Sequence, residues 1–342
     1  MKELHAGIIG MGKMGLLHAA ILNSLKNVKV SAVADSEKLI INFIEKNCPD
    51  IKVFDNYKTM LENSDLDFVF ITTPVNSHIQ IASDCIKRNL PFFVEKPLSR
   101  TAKECESLYN LLKDKPVVNM VGYCLRYSDT YSKAKELLDD KILGEIKDVK
   151  CSAYQTLEAS RRSGWRFKKD VSGGGILIDL GAHLIDLLIW YFGNIKTVNG
   201  KIESQKTKNV EDYVSASLEF ENGANCSFEA SWNIDNYRLP ETTIEVYGEK
   251  GKLKVNENYL KISYNNQTEK DRIFYRQNLY RAVEVDITYP QFTREDLDFI
   301  HSVQKKQQLD LNVVNSNKVQ SVIDQIYKSS TSKKLESVIY VE

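Results

Sequence analysis

Gly10, Gly12 and Gly15 fall in the spacing Gly-x-Gly-x-x-Gly. They lie between the short apolar run Leu4–Ile9 and a helical pattern carrying Leu16, Leu17, Ala19, Ala20, Ile21 and Leu25. This order of strand, glycine turn and helix constrains the chain more than any other stretch. Gly10 permits a tight turn, Gly12 lets a pyrophosphate approach the backbone, and Gly15 lets helix and strand pack closely. The start of the helix, with Met11, Lys13 and Met14 around it, then offers free N–H groups to phosphate oxygens. An ordinary strand–helix turn can hold the same glycines, and it is the flanks that favour a dinucleotide.

Val28–Ala34 reads as a second strand ended by Asp35, 20 residues after Gly15. A carboxylate at that distance accepts hydrogen bonds from an adenosine ribose and repels a 2′-phosphate. Its other reading is an N-cap for a helix over 36–47, where Asp is favoured. Ser36 follows rather than an arginine, so NAD is favoured over NADP, while the nearby Lys38 keeps NADP open. Residues 67–72 form a strongly apolar strand ending in Thr72-Thr73-Pro74. Residues 76–88 are helical in pattern, with His78 in the first turn as either a solvated helix-start histidine or a group at the ligand edge. Residues 91–94 are a strand ending at Glu95-Lys96-Pro97, 101–114 a helix, and 116–121 a strand ending at Gly122-Tyr123. Such alternation implies a parallel sheet covered on both faces. Right-handed crossovers then bring Gly10, Asp35, Thr72, Lys96 and Tyr123 to one edge. Lys96 alone reads as a surface lysine; at a strand end, between a carboxylate and a proline, it becomes a candidate for active-site charge.

The pattern changes after a helix at 128–141. Residues 146–156, 196–203, Tyr213–Phe220, 224–232, 242–247, 252–255 and Tyr259–Tyr264 alternate as strands, and Asn222-Gly223 is a hairpin signal. They predict a largely antiparallel second sheet, closed by helices at 294–305 and 316–327. Within this half, 173–191 reads as three glycines and a helix apolar nearly all round, except for Asp179, His183 and Asp186. At about 100° per residue these three lie within roughly 60° of one another. Burying them costs several kcal/mol unless they are paired or used. The stripe is therefore either an internal Asp–His pair fastening two domains or a catalytic group. Arg161, Arg162, Arg166, Lys168 and Lys169 cluster around Trp165, as a solvated loop or as a cleft-lining loop for phosphates or an anionic substrate.

Composition excludes several classes. The 342 residues suit two domains, and 46 basic residues balance 46 acidic ones, which points to neither nucleic acid nor a membrane surface. Cys48, Cys85, Cys105, Cys124, Cys151 and Cys226 are scattered without a Cys-x-x-Cys pair, so neither a metal site nor a disulfide framework is expected, and a reducing cytoplasm is. No signal peptide is expected, because the chain enters a strand at once. The apolar run 176–192 is too short and too charged to span a bilayer.

Together the motifs resemble the glucose–fructose oxidoreductase, inositol dehydrogenase and MocA family over almost the whole chain. The resemblance rests on Gly10-Met11-Gly12-Lys13-Met14-Gly15, on Thr73-Pro74 with His78, and on Glu95-Lys96-Pro97. It rests equally on Gly122-Tyr123 with Arg126-Tyr127, and on Ser172-Gly173-Gly174-Gly175 followed by Asp179 and His183. It implies an α/β Rossmann domain over 1–123. An α+β domain over 124–342 would follow, an open, mostly antiparallel sheet with helices that builds homodimers or homotetramers. Under it Lys96, Asp179 and His183 are catalytic: Lys96 contacts a substrate hydroxyl and the nicotinamide ribose, Asp179 holds substrate, and His183 is the acid/base. Thr72, Thr73, Pro74, His78 and Glu95 join the glycine loop and Asp35 around the cofactor, and Trp165-Arg166 resembles a Trp–Arg pair that touches it. Tyr123, Arg126 and Tyr154 are expected at the substrate. Val75 departs from the pattern, since many relatives carry asparagine there. The expected activity is hydride transfer between NAD(P) and a secondary alcohol of a cyclic polyol, sugar or sugar derivative, without a metal. The alternatives are an NAD-dependent glycosidase and a nucleotide-sensing regulator that has lost the chemistry.

Overall fold

The computed structural model describes residues 3–158, 163–265, 270–281, 283 and 290–340. They form two compact units, one of residues 1–99, 103–123 and 282–316, the other of 100–102, 124–281 and 317–342. The first holds β1 (Leu4–Ile9), β2 (Val28–Ala34), β3 (Lys52–Phe54), β4 (Phe68–Ile71), β5 (Phe92–Glu95) and β6 (Asn119–Gly122). All pair in parallel in the order β3-β2-β1-β4-β5-β6. The connecting helices are α1 (Lys13–Ser24), α2 (Lys38–Asn47), α3 (Tyr57–Asn63), α4 (His78–Lys87) and α5 (Glu106–Asp114). Strands buried on both faces must be apolar throughout, and Phe68-Val69-Phe70-Ile71 is fully buried. The strand order reverses beside β1, which is where doubly wound sheets open a crevice for ligands. β3 and α3 are absent from the sequence reading because three residues, and a helix of only seven, are too few to show a period.

The helix expected at 294–305 extends over Pro290–Lys305 and belongs to the first unit, not to a domain running from 124 to the end of the chain. Its Phe299 meets Phe68 edge-on at 5.6 Å and Phe70 at 5.5 Å, and its Asp296 reaches His18 on α1. The segment after it adds to the sheet edge, where the Val121 N–H donates to the Leu311 carbonyl at 2.8 Å. A sequence period shows that a helix has an apolar face, but not which sheet receives it. The helix expected at 316–327 runs Val313–Ser332.

The second unit contains β7 (Ile146–Tyr154), β8 (Ile195–Glu203), β9 (Tyr213–Phe220), β10 (Asn225–Ser231), β11 (Glu241–Gly248), β12 (Gly251–Val255), β13 (Tyr259–Tyr264), β14 (Arg272–Tyr275) and β15 (Glu336–Ser337). Their order is β14-β13-β12-β11-β7-β10-β9-β8-β15, with β7 and β10 parallel and the other pairs antiparallel. The hairpin at Asn222-Gly223 is present, with Gly223 at φ +89° and the Ala224 N–H donating to Asn222 Oδ1. One sheet face buries Val149, Cys151, Ala153 and Phe228. Residues 169–192 form the one segment of the described residues long and apolar enough to cross a bilayer, with mean hydropathy 1.6; it is 67% buried within the protein.

That segment is not the uniform α-helix expected. Leu177–Gly181 takes one π-helical turn before the α-helix Ala182–Phe192. Its entry is fixed by Glu211, whose Oε1 accepts the N–H groups of Gly175 at 2.7 Å and Leu177 at 3.1 Å, and the Tyr327 hydroxyl at 2.8 Å. A carboxylate suits the positive start of a helix, though burial pushes the Glu211 pKa up. The glycines make room for it. A Cβ on Gly175 would stand 1.9 Å from the Glu211 carbonyl oxygen, and one on Gly174 would stand 1.9 Å from the Tyr327 hydroxyl. Gly175→Ala should therefore lower stability by about 1–3 kcal/mol, the usual cost of overpacking. Chemical denaturation followed by tryptophan fluorescence measures it, and an unchanged midpoint would contradict this packing.

Candidate cofactor and active site

At the carboxyl ends of β1, β2 and β4 the glycine loop has the geometry its spacing predicts. Gly10 has φ +96°, and a Cβ there would meet Thr73 N at 2.8 Å. A Cβ on Gly15 would stand 2.0 Å from the Gly10 carbonyl oxygen, so only glycine lets α1 come this close to the turn. Around Gly12, by contrast, nothing lies within 4 Å of a Cβ, and the space a phosphate needs is open. Gly12 is the N-cap of α1 and is exposed together with Lys13, while Met14 is half-buried and Met11 buried. Thr72 serves the loop itself: its hydroxyl donates to the Gly10 carbonyl at 2.5 Å.

Asp35 ends β2 and does not cap α2, whose N-cap is Glu37. Its Oδ2 accepts the Met11 N–H at 2.6 Å and its Oδ1 the Glu37 N–H at 2.8 Å. Each oxygen has a lone pair left for a ribose hydroxyl. Asp35 lines a cavity of about 460 Å³ with Gly10, Ser36, Tyr57, Lys58 and Pro74. Tyr57 and Lys58 were missed in the sequence. The signal for them is Asn56, whose side chain caps α3 by accepting the Lys58 N–H at 2.8 Å. Thr73 Oγ1 accepts the Ser77 hydroxyl at 2.7 Å.

His78 is neither solvated nor turned to a ligand. It is 1% exposed, with Nδ1 2.9 Å from the Pro97 carbonyl and Nε2 2.8 Å from the Thr73 carbonyl. Burial pushes its pKa down, and the carbonyls oppose that shift. It ties two strand ends together instead of touching the cofactor, as had been expected of it. Lys96 is half-buried at the end of β5 and precedes a cis bond to Pro97. Its N–H donates to Glu95 Oε2 at 3.0 Å, while Glu95 Oε1 faces His18 Nε2 at 3.2 Å. Glu95 is thus a support behind the edge and not a ligand group on it. Tyr123 is 2% exposed, too enclosed in the first unit to be an open substrate contact.

In the second unit Asp179 lies on the π turn and His183 on the first turn of the following α-helix, both half-buried. π turns are rare and cluster at functional sites. Asp186 separates from this pair. It is 1% exposed and takes a two-pronged bond from Arg126, with Nε at 2.8 Å and Nη2 at 2.6 Å. The Arg126 guanidinium also lies 5.4 Å from the Trp190 ring. It is built into the helix packing and not held out for substrate. Tyr154 lies on the second sheet. It alternates with Cys151 and Ala153 on β7 and lines, with Tyr237, a cavity of about 740 Å³ on that sheet. Trp165 is 38% exposed with the Arg166 guanidinium 5.8 Å from its ring, and both remain accessible. Arg161 and Arg162 lie outside the described residues.

Comparison with known proteins shows what the chain is similar to. Residues 4–123 match an oxidoreductase family with an NAD-binding Rossmann fold, and residues 131–254 match a GFO/IDH/MocA C-terminal domain. Levoglucosan dehydrogenase of Pseudarthrobacter phenanthrenivorans is 27% identical over 293 residues, 75% of this chain and 74% of that protein. The scyllo-inositol 2-dehydrogenase (NADP(+)) IolW of Bacillus subtilis is 27% identical over 220 residues, 64% of this chain and 60% of that protein. The fold of levoglucosan dehydrogenase in complex with NADH and L-sorbose superposes with a TM-score of 0.89 over 100% of both chains, at 23% identity. The open Gly12, the two clashing glycines and the placement of Asp35 fit a dinucleotide. Gly12→Ala should leave stability within about 0.5 kcal/mol, as for an exposed site, yet weaken NADH binding. Fluorescence titration beside a thermal melt separates the two effects.

Proposed function

The chain belongs to the Gfo/Idh/MocA family and is an NAD(P)-dependent oxidoreductase; from that premise we propose that it oxidises a secondary alcohol of a cyclic polyol, sugar or sugar derivative, or runs the reverse reduction. The observation that carries the reading is the built dinucleotide cradle of the first unit with Lys96 at a strand end of the same sheet; the second unit adds Asp179 and His183 on the π-to-α junction. The names of the relatives, a levoglucosan and an inositol dehydrogenase, support the substrate class. Asp35 favours NAD, and Lys38, beside it in sequence, is what an NADP reading would use.

When bound, nicotinamide supplies the hydride acceptor or donor. The protein's own groups manage the proton and the charge. In the oxidative direction the C–H carbon of the alcohol gives up hydride, and its O–H proton passes to a His183 ring nitrogen, leaving a ketone and an imidazolium. An imidazole can take that proton near neutral pH. The Lys96 ammonium stabilises negative charge developing on the alcohol oxygen. Asp179, four residues before His183, accepts a neighbouring substrate hydroxyl and orients the ring. Trp165 and Arg166, both exposed, are residues that would touch the cofactor. The polar sheet face with the 740 Å³ cavity supports assembly into a homodimer or homotetramer. Six free cysteines support a reducing cytoplasm.

Lys96→Ala and His183→Ala should each lower kcat by about 10²–10⁴-fold, the usual share of an acid, base or charge stabiliser. NADH binding should change little. A panel containing levoglucosan, scyllo-inositol and myo-inositol, read by NADH absorbance with both cofactors, supplies the assay. Near-normal turnover in either variant would remove that residue from the chemistry. Asp35→Ala should weaken NADH by about 10–100-fold, the worth of charge-assisted bonds of 1.5–3 kcal/mol, and weaken NADPH less. Equal loss for both cofactors would remove the ribose role.

A further inference from the structure

A chain of buried polar side chains in the first unit ends at the Lys96 backbone. His18 lies three residues beyond Gly15 on α1 and is 0% exposed. Its Nδ1 is 2.8 and 3.0 Å from the two carboxylate oxygens of Asp296, also 0% exposed, on the helix Pro290–Lys305. Its Nε2 is 3.2 Å from Glu95 Oε1, and Glu95 Oε2 accepts the Lys96 N–H at 3.0 Å. The rings of Phe70 and Phe93, each 5.1 Å from the imidazole, and Phe292 at 6.2 Å enclose it. Burial alone would favour a neutral ring, but Asp296 and Glu95, the two titratable groups that face it, outweigh burial and push its pKa up to about 10.

We propose that His18 is a positioning residue for Lys96: anchored by Asp296, it fixes the Glu95 carboxylate, and Glu95 fixes the backbone from which Lys96 projects. The proposal rests on the assignment of Lys96 to the reaction. Its physical basis is direction. Hydrophobic side chains of the same volume would fill this space without the cost of burying charge, but they could not orient a carboxylate. A ring that donates from both nitrogens can, because each N–H has a single carboxylate to meet. The chain also joins the helix that begins at the phosphate loop to the strand end that carries the lysine. His78 holds the other flank through the Pro97 carbonyl. Lys96 is therefore bracketed by two buried imidazoles, one acting on the residue before it and one on the residue after.

The test reads Lys96 directly, without substrate. Reductive methylation of the full chain with ¹³C-formaldehyde labels the lysines, and Lys96→Arg identifies the Lys96 resonance. His18→Gln should shift that resonance and change the Lys96 methylation rate by at least about threefold, while the midpoint of thermal unfolding shows the chain still folded. Glu95→Gln should do the same, and the double variant should go no further than either single one, because both substitutions break one path. Damage not confined to this path would instead shift the other lysine resonances as well. An unmoved Lys96 resonance in folded His18→Gln, or additive changes, overturns the proposal. If His18→Gln does not fold, Asp296→Asn serves in the same cycle with Glu95→Gln under the same two criteria. Loss of turnover in Lys96→Ala tests the catalytic reading separately, so the two failures are distinguishable.

Discussion

The close approach of α1 to the end of β1 is the constraint from which the first unit's site follows. With 2.0 Å between a Cβ at position 15 and the Gly10 carbonyl oxygen, no side chain is tolerated at Gly15. Because the helix starts so close, its first N–H groups face the space over Gly12, and its sixth residue, His18, falls behind β5. Thr72 then ties β4 to the turn through the Gly10 carbonyl. One steric requirement therefore sets the phosphate cradle, brings the neighbouring strand end beside it, and aims a histidine at the support of Lys96.

Among the described residues, three sets of buried ionisable side chains meet named partners. His18 lies between Asp296 and Glu95, Asp186 takes the Arg126 fork, and Glu211 receives two helix-start N–H groups and a tyrosine hydroxyl. Removing one member of such a set leaves the other charge stranded, at about 3–5 kcal/mol for a buried pair. These sets divide the polar residues of the chain into those that hold the structure and those open to chemistry. Arg126 and Asp186 move to the first group. His183 lies one turn and Asp179 two turns before Asp186, both half-buried.

Much of the site was legible in the sequence because its signals are local. A turn that needs positive φ, a helix that needs free N–H groups at its start and a carboxylate 20 residues on are all set within one βαβ unit. Asp35 can be read as a cap or as a ribose acceptor, and the N-cap of α2 at Glu37, two residues on, decides against the cap. His78 and Arg126 are expected at ligands by pattern, and each meets a partner that the pattern does not contain, the Thr73 and Pro97 carbonyls for His78 and Asp186 for Arg126. The π turn at Leu177–Gly181 was invisible for a related reason. Its extra residue per turn is favoured by Glu211 from a distant loop, not by anything in the helix.

By itself, the sequence determined the alternation of strands and helices, the change of architecture after the first parallel sheet, the dinucleotide turn and the residue types available for proton and hydride chemistry. These follow from sterics and periodicity between residues close in the chain. The tertiary structure alone decided that the helix Pro290–Lys305 completes the first unit, that Asp296 meets His18, and that Arg126 belongs to Asp186. Those outcomes depend on which buried polar group meets which. Burial makes an unmet partner costly, but the identity of that partner is a property of the packed chain and not of any window along it.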